Sequence, residues 1–155
     1  MTPQKKLAFK NKLKQLCHSI IEQRITTTKT AIEEAQQTAN LEGKSSAGDK
    51  YETSRAMGHL EKDMQSRQLA AHLKEMASLH SVNIEPIYET PSTGAFIQCT
   101  HISFFIACGL GKQMLEGNPV IFLSPYAPLA KSLSLKKKGD SIDFSGIQNI
   151  IIDVF

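Results

Sequence analysis

Residues 41–52 read Leu-Glu-Gly-Lys-Ser-Ser-Ala-Gly-Asp-Lys-Tyr-Glu, and they separate two long segments with helical composition. The second segment is expected to start as a helix between Ser46 and Asp49, where turn-forming residues give way to helix formers. Asp49 and Glu52 stand three positions apart, which is also the spacing of a capping box. The stretch therefore predicts a helical hairpin that carries two carboxylates at its tip, near residues 43–53.

The first helix is expected to begin at Thr2 and Pro3, an N-cap residue followed by a favoured first helical residue. Its inner face is predicted from apolar and small residues at steps of four and three: Ile25, Thr28, Ile32, Ala35 and Ala39. The same argument assigns the inner face of the second helix to Met57, Leu60, Met64, Ala71 and Met76. In antiparallel order Ala35 then faces Met57, which puts the turn near Ser45 and Ser46.

The chain changes character near residue 80, because short apolar stretches separated by turn residues replace the helical period. Strands are predicted at 82–88, 95–99, 102–108, 120–123, 142–144 and 150–155, with one short helix at 127–135. The fold class is thus α+β, with an antiparallel coiled-coil hairpin at 1–80 and a small α+β domain at 81–155. The expected core of that domain is Ile97, Phe104, Ile106, Val120, Phe122, Leu129, Leu133, Ile142, Phe144, Ile150 and Ile152.

Charge and cysteine content limit the classes of function. The net charge of +3 is too small to argue for nucleic-acid binding by itself. Five lysines nevertheless crowd residues 5–14; such a run can touch nucleic acid or an anionic lipid surface, and more often it is a solvated helix face. Three cysteines without framework spacing are typical of a reducing compartment. With no apolar leader and no long apolar run, we expect a cytoplasmic protein without membrane association.

Two local strings resemble the bacterial GreA/GreB transcript cleavage factors. Residues 48–53, Gly-Asp-x-x-Glu-Thr, are similar to the family's Gly-Asp-x-x-Glu-Asn. Residues 127–140 are similar, without gaps, to the family's Ser-Pro-Leu-Gly-Arg-Ala-Leu-Leu-Gly-Lys-Lys-Val-Gly-Asp. The resemblance covers both predicted domains in order. The chain departs from the family pattern at Thr53, Arg55, Ala130 and Leu135.

The resemblance implies an FKBP-like C-terminal domain that docks at the rim of the secondary channel of RNA polymerase, while the coiled coil reaches inward. Asp49 and Glu52 would then help to hold a second Mg²⁺, shared with the polymerase and not bound by the free protein. With that ion they would orient a water for cleavage of backtracked RNA at its 3′ end. On this interpretation the chain is a monomeric accessory factor and not an enzyme by itself.

Further contact residues follow from the same resemblance. Lys44, Lys50 and Arg55 surround the tip acids and would contact RNA phosphates or polymerase carboxylates, or else remain solvated charges. The residues expected at the polymerase-docking surface are Pro128, Leu129, Lys136 and Lys137.

Two alternatives belong to other classes of function. Thr53 and Arg55 suggest a non-catalytic regulator that occupies the secondary channel and competes with cleavage factors. A coiled-coil adaptor unrelated to polymerase is the other alternative, in which Asp49 and Glu52 only cap the second helix.

Overall fold

A computed structural model describes the backbone of residues 1–42 and 48–155, and the side chains of residues 1–41 and 52–155. It is an α+β fold, as the sequence predicts. Two long helices, α1 (Pro3–Glu42) and α2 (Gly48–Ser81), precede a six-stranded sheet. The later elements are β1 Phe96–Cys99, β2 Ser103–Ile106, β3 Gly111–Leu115, β4 Asn118–Leu123, α3 Pro128–Ser134, β5 Ser141–Phe144 and β6 Ile147–Val154.

The chain divides into two compact units that do not coincide with the two halves of the sequence. One unit consists of residues 1–18 together with 78–155, and the other consists of residues 19–77. The start of α1 is capped as expected, because the hydroxyl of Thr2 accepts a hydrogen bond from the backbone N–H of Lys5 at 3.3 Å. The first turns of α1 thus belong to the same unit as the sheet.

The sheet is mixed, with strand order β3-β4-β2-β1-β6-β5. Neighbouring strands are antiparallel except β2 and β4, which run parallel with Phe104 opposite Ile121. The connection between these two strands passes through β3, which pairs with the outer edge of β4. The last strand in the chain, β6, lies inside the sheet between β1 and β5.

Both faces of the sheet are covered. On one face α3 buries Ala130 and Leu133 among residues that include Ile97, Phe104 and Ile142. On the other face Phe9 of α1 lies edge-on to an aromatic cluster, with its ring centroid 4.9 Å from that of Phe96 and 6.4 Å from that of Phe155. Because both faces are covered, neighbouring residues of β1 and β2 are buried without the alternation of a one-sided sheet.

In the 19–77 unit, the predicted inner face of α1 is confirmed and the predicted inner face of α2 is wrong. Ile25, Thr28, Ile32, Ala35 and Ala39 are all turned at least partly away from solvent. On α2, however, the apolar line predicted to face them is exposed: Met57 is 66% exposed, Leu60 66% and Met64 62%.

Partly buried residues of α2 lie one position after the predicted line, at Ser54, Gly58 and Gln65. A step of one residue rotates a side chain by about 100° around the helix axis, so either of two neighbouring lines of residues on α2 could face α1. The one with small residues faces α1, where a Cβ added at Gly58 would lie 4.0 Å from that of Ala39. The register of the two helices therefore differs from the predicted one. Ala39 lies near Gly58, whereas the predicted pairing puts Ala39 opposite Thr53.

One predicted strand is wrong, and one strand of the structure was not predicted. The apolar stretch 82–88 forms no strand; Val82 and Ile84 are buried, and lysines of α1 bond to its carbonyl groups. Residues 111–115 form β3, although the sequence analysis gave them no strand, because an edge strand with exposed Lys112 and Met114 has little apolar signal.

The predicted core holds except in β6, where Ile150 and Ile152 are 48% and 43% exposed and Ile151 is buried instead. Three consecutive isoleucines carry no alternation, so the face of each cannot be read from the sequence. The buried side chain of Asn149 determines which residues of β6 face the core. It accepts hydrogen bonds from the backbone N–H groups of His101 and Ile102 at 3.1 and 3.2 Å.

Candidate functional site

The two predicted tip acids lie in the first turn of α2. The helix begins at Gly48, so that Asp49 is inside it and Glu52 follows one turn later. A capping box would need a hydrogen bond to the side chain of Asp49, which lies outside the described side chains, so the capping box stays a prediction. Acidic residues at this end of a helix are stabilised by its unpaired N–H groups.

Part of the predicted tip site has a described geometry. Glu52 and Arg55 are both exposed, and residues three apart lie on the same side of a helix. The structure therefore brings one acid and one cation of the site together. The side chains of Asp49 and Lys50, and all of Lys44, lie outside the described residues.

The predicted magnesium ligands are the carboxylates of Asp49 and Glu52. Among the side chains that the structure describes, no three or more His, Cys, Asp or Glu residues are grouped to hold a metal. The side chain of Asp49 is not among those described, so its pairing with Glu52 stays a prediction. Two carboxylates one helical turn apart fit Mg²⁺, which prefers oxygen ligands and keeps several waters. Most of the ligands would have to come from other groups.

The basic run at the start of α1 is tied to the remainder of its own unit. Lys6 donates to Asp153 at 2.7 Å, and its ammonium lies 4.9 Å from the ring centroid of Phe155. Burial alone would raise the pKa of Asp153, but the hydrogen bond and the charge of Lys6 outweigh it and lower that pKa. Lys12, on another side of the helix, forms an exposed ion pair with Glu116 at 2.5 Å.

The next two lysines bind the segment between α2 and β1. Lys10 is completely buried; its Nζ atom donates to the carbonyl oxygen of Pro86 and lies 5.0 Å from the ring centroid of Tyr88. Lys14 donates to the carbonyl oxygen of Val82 at 2.8 Å. Lys6, Lys10 and Lys14 therefore hold the fold together, and for them the interpretation as a solvated helix face is wrong.

The four residues predicted at a docking surface lie at the two ends of α3. Pro128 is the first residue of the helix and is exposed, and Leu129 beside it is half-buried against the core. Lys136 and Lys137 follow the other end, in a turn where the backbone N–H of Lys137 donates to the Asp140 carboxylate at 2.9 Å. Two apolar candidates thus stand at the start of α3 and two basic candidates stand just beyond its end.

Sequence reasoning missed two prominent side chains at the same ends. Tyr126, just before α3, is 83% exposed, and Leu135, just after it, is 88% exposed. A shallow cavity of about 310 Å³ lies alongside the helix, and its lining includes Thr93, Pro125 and Lys131. The available signal was a large apolar residue at position 135, where the resembling family has glycine.

No family model, curated protein or solved structure gives a significant match to the chain. Among the helices that the structure describes, none is both long enough and apolar enough to cross a membrane.

Proposed function

We propose that this chain is a transcription elongation factor of the GreA/GreB kind, which binds RNA polymerase and promotes cleavage of backtracked RNA. The observation that carries the proposal is the start of α2 at Gly48, which puts Asp49 and Glu52 in one helical turn at the closed end of the hairpin. Exposure of Glu52 supports a role outside this chain's own fold. The gapless likeness of residues 127–140 to the family supports the same assignment.

The tip would act by bringing two carboxylates into the active site of the polymerase. Asp49 and Glu52 would hold Mg²⁺, which, when bound, stabilises charge on phosphate oxygens and activates water. The chain's own contribution is to position these carboxylates on a rigid helix end, close to exposed Arg55. The hydrolytic activity belongs to the polymerase, so the chain is an accessory factor and not an enzyme.

The docking surface of this proposal is the region around α3, in an FKBP-like domain. Pro128, Leu129, Lys136 and Lys137 would contact the polymerase, and the exposed Tyr126 and Leu135 extend that surface. We place the protein in the cytoplasm as a monomer. Its three cysteines are buried and form no disulfide, which agrees with a reducing compartment.

A cleavage assay on backtracked complexes of bacterial RNA polymerase tests the proposal. We expect Asp49→Ala and Glu52→Ala each to slow cleavage by at least about tenfold, while binding to polymerase is unchanged. The matched control is Asp63→Ala, an exposed acid of α2 away from the tip, which should cleave like the wild type. Wild-type cleavage no faster than that of the tip variants would refute the catalytic role.

A second candidate is a non-catalytic regulator of the same channel. The observation that favours it is Arg55, an exposed cation one turn from Glu52, where the family usually has an acid. Tight binding to polymerase without cleavage, together with competition against an active cleavage factor, would select this candidate. Absence of polymerase binding would instead favour the coiled-coil adaptor.

A further inference from the structure

A groove runs between α1 and α2 in the 19–77 unit, and small residues form its floor. Its volume is about 460 Å³, and its lining includes Ala31, Ala35 and Ala39 from α1 and Ser54 and Gly58 from α2. Small side chains on both helices leave a depression that the described side chains do not fill. The groove is therefore wide enough to accept a large side chain from elsewhere.

One edge of the groove is apolar and exposed. Met57 lines it and is 66% exposed, and Leu60 and Met64 continue the same line along α2. Large apolar side chains grouped on a surface mark interaction sites, and methionine adapts its shape to varied partners. This line is left largely exposed because α1 packs on the neighbouring line of small residues.

The charges at the groove have one sign. Glu34 of α1 and Glu61 of α2 line it from opposite sides, and both are exposed. No lysine or arginine is among its described lining residues. The nearby Lys62 donates from its Nζ atom to the side chain of Gln36 at 2.9 Å and is not among the described lining residues. A basic ligand is thus favoured over an acidic one.

We propose that this groove binds a basic amphipathic helix of a partner protein. A large apolar residue of that helix would enter the depression at Gly58, others would contact Met57 and Leu60, and basic residues would pair with Glu34 and Glu61. An amphipathic helix that binds between two helices packs its ridges of side chains into their grooves, as in a three-helix bundle. The proposal does not depend on the polymerase assignment.

Charge also decides between this partner and other occupants. The start of α1 is a basic helix of the chain itself, but its Lys6, Lys10 and Lys14 form contacts within their own unit. A second copy therefore does not offer it. An anionic membrane surface would be repelled by Glu34 and Glu61.

The probe is an 18-residue peptide of leucine and lysine in an amphipathic helical pattern, titrated into the full chain by calorimetry. The same pattern written with leucine and glutamate is the control peptide. We expect the lysine peptide to bind at least about tenfold more tightly than the glutamate peptide. Equal affinity of the two peptides, or no binding of either, would overturn the proposal.

Variants locate the site. Glu34→Gln with Glu61→Gln, and separately Met57→Lys, should each weaken binding of the lysine peptide at least about tenfold. Met57 is exposed, so its replacement leaves the fold intact, and circular dichroism verifies this. The matched control is Glu33→Gln with Asp63→Asn, two exposed acids of the same helices outside the groove lining, and it should stay within about twofold of wild type.

Three further outcomes contradict the proposal. The control pair could weaken binding as much as the groove pair, in which case the attraction is only general acidity. Met57→Lys could leave binding unchanged, in which case the peptide lies elsewhere. A dimer of the free chain that Met57→Lys dissociates would assign the apolar edge to a second copy.

Discussion

Lys10 of α1 donates a hydrogen bond from its Nζ atom to the carbonyl oxygen of Pro86 across 2.5 Å, and its side chain is 0% exposed. Desolvation by burial lowers the pKa of this lysine from 10.5 to about 8. A structural contact of the fold thus depends on a group that titrates just above neutral pH.

This pKa predicts how stability depends on pH. Between pH 8 and pH 10.5 the unfolded chain holds a proton on Lys10 that the folded chain has released, so the free energy of unfolding should rise with pH in this window. Relative to Lys10→Met, the wild type should gain about 1 to 2 kcal/mol between pH 7.5 and pH 9.5. Urea unfolding of both proteins at each pH measures the difference. A constant difference would show that Lys10 titrates normally.

Gly94 is predicted to be intolerant of any side chain. Its φ is +94°, and a Cβ atom added to it would lie 2.2 Å from the carbonyl oxygen of Asn83. Gly94→Ala should therefore lower the free energy of unfolding by more than about 2 kcal/mol, because strain and a backbone collision add. Gly117→Ala is the control, since Gly117 has φ +79° with open space around it and carries the strain alone. Equal losses in urea unfolding would contradict the collision.

The buried thiols should be inert in the folded protein. Burial raises the pKa of Cys17 to about 12, with a further increase from nearby Cys108, and it raises the pKa of Cys99 to about 11. Since the thiolate is the reactive form, iodoacetamide at pH 8 should leave Cys17 and Cys99 unmodified in the native state and modify both in urea. Peptide mass spectrometry gives the extent at each site. Rapid native labelling of Cys17 would contradict its burial.

Tyr126 and Leu135 should matter for binding and not for folding. Both are more than four-fifths exposed, so Tyr126→Ser and Leu135→Ser should each change the free energy of unfolding by less than about 0.5 kcal/mol. If the region around α3 docks on RNA polymerase, the double variant should bind it at least about tenfold more weakly. Ser141→Ala, at an exposed position of β5, is the control. Unchanged affinity would move the docking surface elsewhere.

Sequence reasoning failed for residues whose environment depends on another helix or strand of the fold. On α2 two lines of side chains one residue apart could both face α1, and only packing against the alanines of α1 selects the one that contains Gly58. The stretch 82–88 looks like a strand because the lysines that hold it lie about seventy residues earlier in the chain. Such long-range pairs leave no local pattern.

Elements defined by local chemistry were predictable. The Thr2 cap, the start of α2 near Asp49 and the short helix that begins at Pro128 all follow from a few neighbouring residues. The candidate tip site was predictable for the same reason, as a motif within six residues. The exposed residues at the ends of α3 were not predictable, since exposure of Leu135 is a property of the folded surface.

The place of β6 in the sheet has a consequence for the order in which this unit can close. This strand follows the other five in sequence, yet it sits between β1 and β5 and ends beside Phe155, which contacts Phe9 of α1. Until β6 is in place, β1 has an open edge and the aromatic face of the sheet is incomplete. The unit formed by residues 1–18 and 78–155 therefore closes only when two segments that are far apart in sequence, the first turns of α1 and β6, have both docked.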